Sequence, residues 1–343
     1  MVSNLKKIMK KNKKVLIIAE IGINHNGSLN IAKKLIKKAK ESGADIAKFQ
    51  VFNTDLFVAK NAPAARYQKK NIKNKKIKQY DFLKKLEISE KNLFLLKKYC
   101  QKNKIEFMAT PFDRESLKTI IRCKVKRIKV ASSDLDNFEL LESIQRTKKP
   151  IILSSGLSNL TGIKKSLIFL KKKGIKKNKI TLLHCTTAYP TPNEEINLKV
   201  LDSFKKLGVK IGYSDHTEGN EAALGAVALG AQVIEKHFTL NKNMKGPDHK
   251  ASADPKQLKE LVKGIRVMEL ALGKKQKKIT RSEKKNFYIA KRSIFTKRDV
   301  QKGERFNKNN LICLRPAIGK SSSLWFKYLG KRAKRNYLSG KPI

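Results

Sequence analysis

The chain has 343 residues, 40% of them hydrophobic, and 79 Lys and Arg against 28 Asp and Glu give a formal net charge of +51. That length allows about two domains or one large barrel with an appendage, and no run of about 20 apolar residues is present to span a membrane. The lysines recur in nearly every helical segment rather than along one aromatic-studded stripe, so the charge reads as a compositional lysine bias and no specific nucleic-acid surface is expected.

Four cysteines (Cys100, Cys123, Cys185 and Cys313) show neither CxxC spacing nor a paired pattern, which points to free thiols in a reduced, cytoplasmic setting. The first 14 residues are basic, but the apolar run that follows them is too short for a secretory signal, so no leader is expected.

Eight short apolar runs follow in chain order, at 15–20, 45–50, 105–110, 127–132, 151–155, 180–185, 209–213 and 232–237. Helical patterns lie between and after them, near 29–42, 90–103, 114–123, 138–147, 159–173, 197–207, 220–229 and 255–272. Near-continuous apolar strands alternating with amphipathic helices mean parallel strands covered on both faces. Eight such units within 15–273 predict a (β/α)8 TIM barrel, whose active site lies at the C-terminal ends of the strands. A doubly wound open sheet would need a GxGxxG phosphate loop, and none is present. The connection 53–89 is long enough to expect a functional or partly disordered loop. Residues 274–286 read as a polar, basic linker, and 287–343 as a small β-rich module whose core is too small to stand alone.

Polar residues gather where the barrel would open. Glu20 ends the first apolar run and can orient a hydroxyl or move a proton; Gly22 and Gly27 allow the tight turn after it, and Ser28 suits a helix N-cap. His25, in the same turn, is expected to brace the loop more than to act on a ligand. Lys48 and Lys129 each end the apolar part of a strand, where a lysine facing the mouth needs an anionic partner such as phosphate or carboxylate. Ser132, Ser154 and Ser214 can donate hydroxyls to the same anion, although each alone is also an ordinary turn serine. Thr187 and Tyr189 lie on a proline-stiffened segment suited to a rigid substrate contact, and Asp248 follows the last strand. His216 and His237 both close apolar strands, and two neutral imidazoles at neighbouring strand ends can hold one divalent ion. A pair of hydrogen-bonded core histidines is the plainer alternative.

At these segments the chain resembles the sialic acid synthase family, which includes the N-acetylneuraminate and legionaminic acid synthases. The resemblance rests on Ala19-Glu-Ile-Gly-Ile-Asn-His-Asn-Gly27, Lys48-Phe-Gln50, Thr110-Pro-Phe-Asp113, His184 to Pro192, Gly212 to Thr217, Glu235-Lys-His-Phe-Thr239 and Gly246-Pro-Asp-His249. The module 287–343 resembles the family's antifreeze-like (SAF) domain, with Arg292-Ser-Ile, Lys302-Gly-Glu, Arg315-Pro and Leu329-Gly-Lys331. The resemblance implies a divalent metal, Mn or Mg, on His216 and His237. It implies phosphoenolpyruvate gripped by Lys48, Lys129, Ser132, Ser154 and Ser214, with Glu20 and Asp134 as mechanistic carboxylates. It also implies an acylamino sugar meeting Gln50, Asn71, Tyr189 and Asp248. A domain-swapped homodimer would bring Arg315 of one copy to the sugar's acyl group on the other. The implied reaction condenses phosphoenolpyruvate with the sugar to give a nine-carbon 2-keto-3-deoxy acid and phosphate.

Three positions depart from the family pattern. Asp134 stands where Glu is usual, Thr187 where some relatives have Asn, and the residues after Pro316 read Ala-Ile-Gly-Lys-Ser rather than Gly-Asn-Gly-Ile. A metal-dependent aldolase using free pyruvate, and a basic protein that binds RNA or an anionic surface, are the competing readings.

Overall fold

The computed structural model describes residues 14–343; the basic opening segment, on which the expectation of no leader rests, lies outside them apart from Lys14. A first compact unit ends at Gly273 and a second runs from Lys274 to Ile343.

The first unit is a ring of eight parallel strands: β1 (Leu16–Gly22), β2 (Ile46–Val51), β3 (Glu106–Pro111), β4 (Ile128–Val130), β5 (Ile151–Ser154), β6 (Ile180–His184), β7 (Lys210–Asp215) and β8 (Val233–His237). Hydrogen-bonded ladders connect them in the order β3-β2-β1-β8-β7-β6-β5-β4. β3 and β4 lie side by side and complete the TIM-like barrel, without a ladder between them. The base of that seam is held instead by a two-pronged pair: Arg127 Nε and Nη2 donate to the two carboxylate oxygens of Glu106 at 2.8 and 3.2 Å.

Alternation along each strand explains why these runs are apolar throughout. Outward residues such as Ala19, Phe49, Phe107, Val130, Leu182 and Tyr213 pack under the helices in one large core. Inward residues fill the barrel itself: Ile18, Ile46, Met108, Ile152, Leu183 and Val233 form an apolar plug. One step further along the same strands the inward residues are Glu20, Lys48, Ser154, Ser214 and Glu235. The plug therefore forms the floor of a polar mouth.

The surrounding helices are amphipathic and capped in sequence. Leu29–Glu41 buries Ala32, Leu35, Ile36 and Ala39 at helical spacing and leaves Lys34, Lys37, Lys38 and Lys40 exposed, so its charge lies on the solvent face. Ser28, Ser89, Asp113, Asn137, Asn159 and Asp254 each accept a hydrogen bond from an otherwise unpaired N–H in the first turn. The long connection after β2 is structured: helices Thr54–Phe57, Arg66–Ile72 and Gln79–Lys84 gather around Phe52, Ala64, Phe82, Leu83 and Leu86.

The second unit has its own small core of Ile294, Val300, Phe306, Leu311, Ala333 and Ile343 around an antiparallel pair, β9 (Ser293–Thr296) and β10 (Leu311–Leu314). The expected linker 274–286 needs one correction. A helix, Arg281–Ala290, occupies its end and runs on into the β-rich module. Its start is a reciprocal cap in which Glu283 N donates to Thr280 Oγ1 and Thr280 N donates to Glu283 Oε2.

Gly212 shows how tightly the plug is packed. A Cβ at this inward position of β7 would sit 2.5 Å from both Leu183 Cδ2 and the Val233 carbonyl oxygen. Gly212→Ala is expected to destabilise the barrel by about 1–3 kcal/mol through overpacking, read as a lower urea midpoint at unchanged slope.

Candidate active site

The mouth of the barrel holds an open cavity of about 170 Å³, lined by side chains from the C-terminal ends of all eight strands or the loops just beyond them. Of the residues singled out in the sequence, Glu20, Lys48, Gln50, Lys129, Ser132, Ser154, Thr187, Tyr189, Ser214, His216 and His237 line it together.

Four charged side chains cross its floor. Lys48 Nζ lies 2.7 Å from Glu20 Oε2 and 3.6 Å from Glu235 Oε2. Lys129 Nζ reaches from the other side to 3.7 Å from Glu235 Oε1. Hydroxyls complete the set: Lys48 donates to Thr110 Oγ1 at 3.1 Å, Lys129 to Ser154 Oγ at 2.6 Å, and Ser214 donates to Glu235 Oε1 at 2.9 Å. Two carboxylates thus balance two ammonium groups in a buried space.

The ionisation of the four groups follows from that balance. Burial opposes the charge on Lys48, but Glu20 and Glu235 outweigh it and hold its pKa above the ordinary lysine value. Burial dominates at Lys129 and lowers its pKa, with Glu235 only partly offsetting it. Glu235 is pushed the other way: burial is overcome by Lys129, Lys48 and the Ser214 hydroxyl, which bring it down to about 2. Glu20 is the more easily protonated of the two carboxylates, since burial raises its pKa more than Lys48 lowers it. Glu235 was not singled out in the sequence, although its signal was present. It stands two residues before His237 in a strand, so both share the inward face.

His216 and His237 lie side by side at the rim, with ring centroids 5.5 Å apart. His216 Nδ1 donates to the Thr186 carbonyl at 2.7 Å, which leaves Nε2 as the nitrogen with a free lone pair. His237 Nδ1 is buried without a hydrogen-bond partner among the described residues. Burial lowers the pKa of both rings, and His216 lowers that of His237 further, which favours the neutral form of each. Two imidazoles sharing an ion through bonds of about 2.1 Å would place their centroids roughly 5 Å apart, close to the separation found. The pair would therefore hold a divalent metal through two imidazoles; among the described residues no group of three or more His, Cys, Asp or Glu converges there.

Asp134, Asn71, Asp248 and Arg315 lie outside the cavity lining. Asp134 is turned into its own loop, where Oδ1 accepts from Asn137 Nδ2 at 2.9 Å and Oδ2 from Ser133 Oγ at 3.1 Å; it does not line the cavity. The shorter Asp side chain suits that local arrangement, since both partners are within three residues. Asn71 donates to the Pro247 carbonyl and joins helix Arg66–Ile72 to the segment carrying Asp248. Asp248 is buried outside the cavity lining, and burial together with Glu20 raises its pKa to about 7. Tyr189 stacks on Tyr67 of the same helix at 5.1 Å and packs against His216 at 4.3 Å. His25 accepts from Gly27 N through Nδ1 at 3.0 Å, as a loop brace does. Arg315 belongs to the second unit, where it follows β10 and is exposed.

If Glu235 holds the two lysines together, its neutral isostere must cost stability. Glu235→Gln is expected to lower the unfolding free energy of the barrel by about 3 kcal/mol, because two buried cations are left with one carboxylate. Equilibrium urea unfolding measures this, and an unchanged midpoint would show that the lysines do not need it.

Comparison with known proteins places the chain in a family. Residues 35–277 match the NeuB family and residues 291–343 match the SAF domain. The chain is 47% identical over 329 residues to an N,N'-diacetyllegionaminic acid synthase of Campylobacter jejuni, covering 95% of this chain and 97% of that one. It is 40% identical to the enzyme of the same name from Legionella pneumophila, over 94% of this chain and 92% of that one. Among solved structures, the N-acetylneuraminic acid synthetase of Leptospira borgpetersenii in complex with citrate superposes with a TM-score of 0.69 at 34% identity, covering 80% of this chain and 90% of that one. The chain therefore belongs to the NeuB family and carries a C-terminal SAF domain.

Proposed function

We propose that this protein condenses phosphoenolpyruvate with an N-acylated mannosamine-type sugar, forming a nine-carbon 2-keto-3-deoxy acid and releasing phosphate. The observation that carries the reading is the balanced set of Glu20, Lys48, Lys129 and Glu235 beneath the His216–His237 pair. Full-length similarity to proteins named as N,N'-diacetyllegionaminic acid synthases supports a diacetamido-trideoxy sugar as the acceptor over N-acetylmannosamine.

In this reading the phosphate and carboxylate of phosphoenolpyruvate take over the lysines. Lys129, already within 2.6 Å of Ser154, and Lys48 present ammonium groups in a water-poor floor where their attraction for an anion is strong. Ser132 and Ser214 add hydroxyl contacts. A divalent ion on His216 and His237, Mn or Mg, would supply Lewis-acid polarisation of the open-chain aldehyde. C3 of phosphoenolpyruvate bonds to the aldehyde carbon, and the aldehyde oxygen gains a proton. Water adds at C2, and the C2–O bond to phosphate then breaks, leaving the C2 ketone. Glu20, with its raised pKa and 3.4 Å from Gln50 Nε2, is placed to exchange the proton. Glu235 takes the part of the second carboxylate, as a fixed negative charge that keeps Lys48 and Lys129 aimed at the floor. Gln50 and Tyr189 form the sugar side, and Asn71 and Asp248 are assigned to it from beyond the cavity lining. A homodimer, with Arg315 of the partner copy at the acyl group, completes the proposal.

Two measurements test it. The purified protein, Mn²⁺ and phosphoenolpyruvate labelled with ¹⁸O at the bridging oxygen are incubated with each candidate hexosamine or with free pyruvate plus sugar. A nine-carbon keto acid should form from phosphoenolpyruvate alone, faster with the diacetamido-trideoxy sugar, with the label in the released phosphate. Product from free pyruvate would identify an aldolase, and no product with any acylamino sugar would end the synthase reading. Separately, Lys129→Met is expected to raise KM for phosphoenolpyruvate by about 10–100-fold, the worth of one charge-assisted contact, while KM for the sugar changes little.

A further inference from the structure

One buried charge pair takes no part in the chemistry above. Asp215 and Lys236 face each other as register partners on β7 and β8, each one residue before a rim histidine. Neighbouring strand residues point to opposite faces, so His216 and His237 enter the mouth while Asp215 and Lys236 point out beneath the helices.

All three ammonium hydrogens of Lys236 are used: Nζ donates to Asp215 Oδ2 at 2.6 Å, to the Thr217 carbonyl at 2.9 Å and to the Gly219 carbonyl at 2.7 Å. Asp215 Oδ1 accepts from Thr217 N at 2.9 Å and from Thr217 Oγ1 at 2.7 Å. Lys236 and Asp215 are only 2% and 1% exposed. The cluster therefore ties β8 to β7 and to the turn leaving His216, directly behind both imidazoles.

Stability alone does not account for it. Desolvating two charges costs about as much as their attraction returns, and well-packed apolar residues of similar volume often serve as well. What apolar packing cannot supply is direction. Five hydrogen bonds fix the backbone on either side of His216 and the strand position of His237, and so set the spacing of the two rings. We propose that Asp215, Lys236 and Thr217 form a positioning clamp that presets the His216–His237 separation for a divalent ion. The proposal rests on the reading of these histidines as a metal pair.

The test is Mn²⁺ binding to the purified full-length protein without substrates, followed by the electron paramagnetic resonance of free Mn²⁺. Measurements are made well below the unfolding temperature of each variant. The wild-type protein should bind Mn²⁺ and His216→Ala should not. Asp215→Asn/Lys236→Met, which removes both charges at similar volume, is expected to weaken Mn²⁺ binding by about 10–100-fold while the barrel stays folded. Thr217→Val, which removes a single hydroxyl, is expected to weaken it by about 3–10-fold and carries the test if the double variant does not fold. Wild-type binding with a dissociation constant unchanged within about twofold in the folded variants would overturn the clamp and leave the metal pair standing. No Mn²⁺ binding by the wild-type protein would overturn both.

Discussion

Four formal charges share the floor of the barrel mouth, and the site depends on their compensation. A single ammonium group in that position would be expelled or neutralised, because burial opposes its charge. Lys48 and Lys129 persist there through Glu20 and Glu235, with Thr110, Ser154 and Ser214 completing their hydrogen bonds. Under the proposed function the same balance favours selectivity. An anion that enters must replace carboxylates already seated on the lysines, so a weakly charged or poorly shaped molecule gains little. A compact, multiply charged one such as an enol phosphate gains more.

This places the net charge of +51 in perspective. Among the described residues, many of the cations are exposed on outward helix faces, as at Lys34, Lys37 and Lys38, where salt screens them within about 8–10 Å. Their summed field can draw anions towards the protein, whereas the neutral four-charge floor decides which are held. Under the proposed function, attraction and recognition are thus carried by different lysines.

Strand alternation links the site to its support. The apolar plug, the charged floor and the imidazole rim are successive inward steps of the same strands. The outward steps carry the core and, behind the rim, the Asp215–Lys236 pair. Gly212 belongs to this scheme as well, since any side chain there would lift the plug against Val233 and Leu183. A shift of one residue in β7 or β8 would exchange the histidines with the ion pair behind them.

Local pattern was enough for the barrel strands and helices, because parallel strands covered on both faces leave long apolar runs between amphipathic helices. It was also enough to mark Glu20, Lys48, Lys129, His216 and His237, which stand out as polar residues ending apolar runs. Glu235 was harder to see because it is followed within the strand by another charge, Lys236, and only the two-residue period separates their faces. The helix Arg281–Ala290 is polar over its first six residues and carries Phe287, Tyr288 and Ile289 in its second half, and its start was readable only in the Thr280–Glu283 cap.

By itself, the sequence determined the order of elements and the chemistry available at each strand end. The tertiary structure alone decided which of those groups meet. Lys129 on β4 reaches Glu235 on β8 across the barrel, and Asp134 is taken up by Asn137 within its own loop. Those pairings depend on ring closure and side-chain reach, neither of which is encoded in local spacing.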